Sequence, residues 1–160
     1  MLERIYDIVS VDVSADIPKG TIIGFKVDKY IPAIKDGSDS FTGDGTTASF
    51  DLSNAPVVYG TVTVTVDGTP TTVDVDHEQG VITFATAPAS GAAIAVAYKY
   101  YAAQPAGVLV EEVTAGQSPA TAKVLFFGEM YEDELASAPG EDVKAKLRMV
   151  GIFVKKRISA

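Results

Sequence analysis

The chain has no cysteine, a single histidine, and no nucleotide-binding or zinc-binding signature. Without cysteine there are no disulfides, thiolate metal sites or thiol nucleophiles, and the fold is indifferent to its redox compartment. No stretch reaches the roughly 18 consecutive apolar residues of a membrane-crossing helix. Glu3, Arg4 and Asp7 interrupt the apolar positions at the start, so the hydrophobic region of a secretory signal is missing. The expectation is a soluble globular chain with no membrane partner. With no Walker loop and no dinucleotide fingerprint, no cofactor is expected either. What is present is 160 residues with 47% hydrophobic content, enough for one good core or two small ones.

A second absence is local. Between Lys35 and Lys99 there is neither Lys nor Arg, yet the stretch carries Asp36, Asp39, Asp44, Asp51, Asp67, Asp74, Asp76 and Glu78. These acids match the whole formal net charge of -8, and the rest of the chain is neutral. A composition break this sharp, with mixed charge on either side, is how an inserted module reads. The acidic balance also argues against nucleic acid as a partner, because phosphate contacts need clustered Lys and Arg. Lys155, Lys156 and Arg157 form the one basic cluster and read as a solvated tail.

The acidic stretch has clear strand grammar. Val62, Val64 and Val66 alternate with threonines, and Asp67-Gly68 is a dipeptide that closes tight hairpins. Val73 and Val75 continue the alternation, residues 78–80 turn the chain, and Ile82 and Phe84 stand two apart. After a further turn at 88–91, Ile94, Val96, Tyr98 and Tyr100 share one strand face. With Phe50 and Leu52 as an opening strand, about five antiparallel strands with one apolar face are predicted, a small β-sandwich or a sheet leaning on a neighbour.

The flanks read differently. Residues 16–20 turn into a strand over 21–27, where Ile22, Ile23 and Phe25 suggest cover on both faces. Apolar runs at 107–113 and 120–127 have strand length. Residues 141–150 form the one predicted helix, with Val143, Leu147 and Val150 on one face, acids in its first turn and bases near its last. Gly151 stops it, and 152–154 is a closing strand. The predicted class is therefore mainly β with one short C-terminal helix.

Candidate chemistry is thin. His77 lies in the turn Asp76-His-Glu-Gln-Gly80 and reads as a turn residue. Glu129, Glu132, Asp133 and Glu134 could supply paired carboxylates for acid-base hydrolysis, but a solvated acidic turn explains them as well. Asp36, Asp39 and Asp44 with their glycines suggest a calcium loop only faintly, since the spacing fits neither the EF-hand nor the nonapeptide repeat. No catalytic, cofactor or metal residue is assigned, and the chain is not expected to be an enzyme.

The flanks also carry a resemblance. Lys19-Gly-Thr-Ile-Ile-Gly24, Tyr30-Ile-Pro32, Asp36-Gly-Ser38 and Ala106-Gly-Val-Leu-Val-Glu-Glu-Val113 stand in an order that resembles the lambda-type head decoration proteins of tailed phages. The likeness continues through 120–129, Glu134-Leu135 and Leu147-Arg-Met-Val-Gly-Ile-Phe-Val154, close to half of the chain in all. Where such proteins have a short loop after the Asp-Gly-Ser turn, about 60 residues intervene here. That stretch is itself similar to small β-modules, of Ig-like insertion type, that recur in phage virion proteins.

The resemblance implies a discontinuous decoration domain, 16–40 plus 102–160, split by an inserted β module at 41–101. It implies a homotrimer on the outer surface of a virion capsid, made in the host cytoplasm, with the major capsid protein as partner. It further implies an N-terminal capsid-binding arm, 1–15, mobile until it adds to the sheet of the shell. The contacts would be Leu2, Ile5, Tyr6, Ile8, Val9, Val11 and Val13. The alternative for these residues is an ordinary first strand or helix of the core. The acidic module is expected to project outward. An alternative role is recognition, with the module binding a host surface or glycan.

Overall fold

The structure is a computed structural model and describes residues 2–157. It is mainly β. The chain opens with β1 (Ile5–Ser10), β2 (Ile22–Lys26) and β3 (Lys29–Pro32). Seven strands follow: β4 (Ile34–Thr42), β5 (Ser49–Asp51), β6 (Thr63–Val66), β7 (Thr69–Pro70), β8 (Asp74–Asp76), β9 (Val81–Thr83) and β10 (Ala93–Tyr101). The last section holds β11 (Gly107–Leu109), β12 (Thr121–Tyr131), helix α1 (Glu141–Met149) and β13 (Ile152–Lys155). Two compact units result, Met1–Ile34 with Ala102–Ala160, and Lys35–Tyr101.

The first unit is built on a sheet of order β1-β12-β11-β2-β3, with β13 also paired to β12. All these pairings are antiparallel except β12 with β13, which is parallel from Gly128 opposite Ile152 to Tyr131 opposite Lys155. The sheet curls until its end strands meet: Val11 bridges Tyr30, and the Asp12 N–H donates to the Tyr30 carbonyl at 2.8 Å. Inside the curl, Val11, Ile17, Ile23, Leu109, Val113, Ala122 and Val124 form a closed apolar cluster. β2 is covered on both faces in its middle, as expected: the successive residues Ile23 and Gly24, which face opposite sides, are both buried. The cover stops at the end of the strand, where Phe25, on the same face as Ile23, is 55% exposed and meets the edge of Tyr30 at 5.3 Å between centroids.

Helix α1 forms where its pattern predicts. Glu141 and Asp142 occupy the first turn, Lys146 and Arg148 the last, and each complements the helix dipole. Val143 and Leu147 are buried, whereas Val150 falls just past the helix end and is exposed. Gly151, at φ 86, turns the chain into β13, whose Ile152 is fully buried.

The second unit is a β-sandwich of two antiparallel sheets, β4-β10-β6-β7 and β5-β9-β8. Leu52, Val57, Val64, Ile82, Phe84, Ile94, Val96 and Tyr98 fill the space between them. The Asp67-Gly68 hairpin forms as read, with both residues at positive φ and Val66 paired to Thr69. The Asp36-Gly37-Ser38 turn does not form. These residues lie inside β4, which neighbours β10, and the boundary between units therefore falls at Ile34/Lys35 rather than after residue 40. The glycine serves packing: a Cβ on Gly37 would stand 2.7 Å from the ring of Tyr98.

Candidate functional site

β1 is the strand with the least burial in the first unit. It pairs on one side with β12, from Ile5 opposite Phe127 to Ser10 opposite Thr121, with an irregularity between Ile5 and Tyr6. Among the described residues its other side carries no partner strand, apart from the single bridge at Val11. Ile8 is 68% exposed, Ile5 55% and Tyr6 36%. Tyr6 and Ile8 stand on one face with Lys123, whose ammonium lies 4.8 Å over the Tyr6 ring. Ile5 and its cross-strand neighbour Phe127 are exposed together. The Ile8 N–H donates to Asp7 Oδ1 at 2.8 Å, so an acidic side chain covers one backbone donor of this strand.

The seven expected contact residues divide here. Leu2, Ile5, Tyr6 and Ile8 are exposed. Val11 is 3% exposed and belongs to the core, and Val9 and Val13 are half-buried against it. Val11 thus lies in the core rather than on the exposed face with Ile5, Tyr6 and Ile8, and the segment is paired with β12. The physical reason is the curl of the sheet, which needs an apolar residue where β1 meets β3.

An ion-pair frame surrounds the start of β1, and the composition alone gave no sign of it. Arg4 Nη1 and Nη2 donate to the two carboxylate oxygens of Glu134 at 2.9 and 2.8 Å, and Nε donates to the Glu129 carbonyl at 2.7 Å. Glu134 Oε2 also accepts the Tyr131 N–H at 2.7 Å. The bond from Arg4 holds the Glu134 carboxyl below its ordinary range, against the opposing effect of burial. The rest of the acidic cluster is paired as well: Glu129 with Lys155 at 2.6 Å, Glu132 with Lys144 at 2.5 Å and Asp133 with Arg157 at 2.8 Å. Each carboxylate answers to a different cation, an arrangement suited to fastening strand ends rather than to sharing a proton. Lys155 and Arg157, read as a solvated tail, are partners in it.

In the second unit, Asp36, Asp39 and Asp44 do not converge. Asp36 pairs with Lys99, Asp44 accepts from Thr46 and Thr47, and Asp39 accepts from Ser53 and from the Tyr98 hydroxyl. Among the described residues no group of three or more His, Asp or Glu side chains could hold a metal ion. His77 lies in the turn after β8, stacked on Tyr59 at 3.9 Å between centroids, with Nδ1 buried and unbonded. No helix among the described residues is long and apolar enough to cross a membrane. Compared with known proteins, the chain matches no family model, no curated protein and no solved structure.

Proposed function

We propose that this chain decorates and stabilises the head of a tailed phage, as a homotrimer on the outer surface of the shell, and that β1 is the strand that meets the major capsid protein. Two things support the reading. One is the ordered set of segments that resembles lambda-type decoration proteins. The other, which carries the residue assignment, is the exposure of Ile5, Tyr6 and Ile8 on a strand whose outer edge has no neighbouring strand. An open edge with apolar side chains suits strand addition, where main-chain hydrogen bonds provide affinity and alternate side chains set register. The acidic second unit fits a position away from the shell, because eight acids against two lysines would be repelled and desolvated at a contact lacking matching bases.

The test is cosedimentation of the protein with expanded capsid shells, wild type against Ile5→Asp/Ile8→Asp. Burying both isoleucines in a contact contributes about 2 to 4 kcal/mol, on the order of 30-fold to several hundredfold in affinity. The double variant keeps the core cluster and is expected to remain folded, with that loss in binding. Undiminished cosedimentation would move the contact off β1.

A further inference from the structure

We infer that Arg4 is a positioning residue for β1: its fork on Glu134 and its bond to the Glu129 carbonyl fix the chain leading into the strand, so that the docking edge is ordered before any partner arrives. This rests on the reading of β1 as the docking strand.

The need for such a device follows from burial. Ordering a residue costs roughly 1 to 2 kcal/mol, and strands usually offset this by burying alternate side chains. From Ile5 to Ile8 every residue is exposed, so side-chain burial contributes little to holding this strand. Besides its main-chain pairing with β12, it is held at its ends. Beyond the far end, Val11 is in the core, its N–H donates to the Ala120 carbonyl at 3.0 Å, and it bridges Tyr30. At the near end there is no buried apolar side chain, and Arg4 takes that place with three charge-assisted bonds.

The local geometry is specific to arginine. Two parallel N–H donors meet the two oxygens of one carboxylate while the third reaches a backbone carbonyl, a planar pattern that an ammonium does not reproduce. Glu134 is oriented for it by the Tyr131 N–H, and sits in a 3-10 turn, Glu132–Glu134, that follows β12 directly. The neighbouring acids Glu129 and Asp133 are engaged by Lys155 and Arg157, which leaves Glu134 to Arg4. The backbone is also shaped for close approach. Gly128 has φ 125, and a Cβ there would stand 2.9 Å from the Glu3 carbonyl oxygen and 3.0 Å from the Arg4 Cα. Glu3 and Arg4 thus lie flush on β12, and a strand so fixed meets a partner without a further ordering cost.

The experiment reads the latch and the docking separately. Amide hydrogen exchange is measured on the free protein for wild type, Arg4→Ala, Arg4→Lys and Glu134→Gln, and the same proteins are cosedimented with expanded shells. Arg4→Ala and Glu134→Gln should each speed exchange across residues 5–8 by about tenfold or more, leave α1 and β11 protected as in wild type, and weaken shell binding by a similar factor. Arg4→Lys, which keeps the charge and loses the fork, should recover only part of both. Unchanged exchange at residues 5–8 in Arg4→Ala and Glu134→Gln overturns the latch, whatever the shells do. Faster exchange with undiminished shell binding overturns its role in docking. Faster exchange in a protein whose wild type binds no shell leaves the latch standing and removes the proposed function.

Discussion

Removing the Asp39 carboxylate should destabilise the second unit in a pH-dependent way. Asp39 lies on β4, half-buried, and accepts three bonds: from the Ser53 N–H at 2.9 Å, the Ser53 hydroxyl at 2.5 Å and the Tyr98 hydroxyl at 2.8 Å. The donors are not equivalent. Ser53 is exposed, so water can replace the carboxylate there, and those two bonds contribute little net. Tyr98 is buried, and without Asp39 its hydroxyl proton has no acceptor, although the oxygen still takes the Asn54 amide at 3.1 Å. Losing a charged acceptor for a buried donor costs about 1.5 to 3 kcal/mol, so Asp39→Ala should cost about 2 to 3 kcal/mol in all and Asp39→Asn about half of that. Burial alone would raise the Asp39 carboxyl, but the bonds from Ser53 and Tyr98 outweigh it and the net direction is down. A carboxyl whose folded value is depressed contributes stability that is fully present above its unfolded value, about 3.9, and that is lost as pH falls through the lower, folded one. Urea unfolding of wild type and both variants at pH 7 and near pH 2.5 measures this. The difference between wild type and Asp39→Asn should shrink at the lower pH. A difference of the same size at both pH values, or no cost for Asp39→Ala at pH 7, would refute the reasoning.

Two further outcomes follow from single contacts. Leu147→Ala removes a fully buried side chain from the face of α1 and should cost about 2 to 5 kcal/mol in urea unfolding, with amides of the adjoining β13 losing protection in hydrogen exchange. Asp7→Ala uncovers the Ile8 N–H and removes a negative charge from an exposed strand, so it should raise concentration-dependent self-association in analytical ultracentrifugation while leaving the melting temperature within a few degrees.

What the sequence made legible was local. The Asp67-Gly68 hairpin depends on four neighbouring residues, and α1 on a periodicity, end charges and a glycine stop that all lie within about a dozen residues. The failures were long-range. Asp-Gly-Ser at 36–38 has turn composition, yet Gly37 is there because the ring of Tyr98, far along the chain, lies against it. Phe25 sits in a convincing strand pattern on the same face as the buried Ile23, but how far along β2 that face stays covered depends on how the sheet curls, and the cover does not reach Phe25. The first thirteen residues carry apolar side chains that suit a docking strand or a core strand equally. Only the bridge from Val11 to Tyr30 separates the buried end of that segment from its exposed middle.

The candidate site shows the same limit in its charges. Along the chain, Glu129 to Glu134 is one acidic run. In space its members meet four cations, Arg4, Lys144, Lys155 and Arg157, brought from both ends of the chain, and this is how the charge-balanced part uses its balance. The second unit has just Lys35 and Lys99, of which Lys99 pairs with Asp36, and several of its other aspartates find other donors. Asp44 takes the N–H groups of Thr46 and Thr47, Asp67 that of Ala93, Asp74 that of Val75, and Asp76 those of Glu78 and Gln79. An aspartate that closes a turn on backbone amides needs no lysine beside it. Part of the acidic excess that marks residues 36–78 so clearly thus comes from turns fastened by aspartates, as at Asp44 and Asp76.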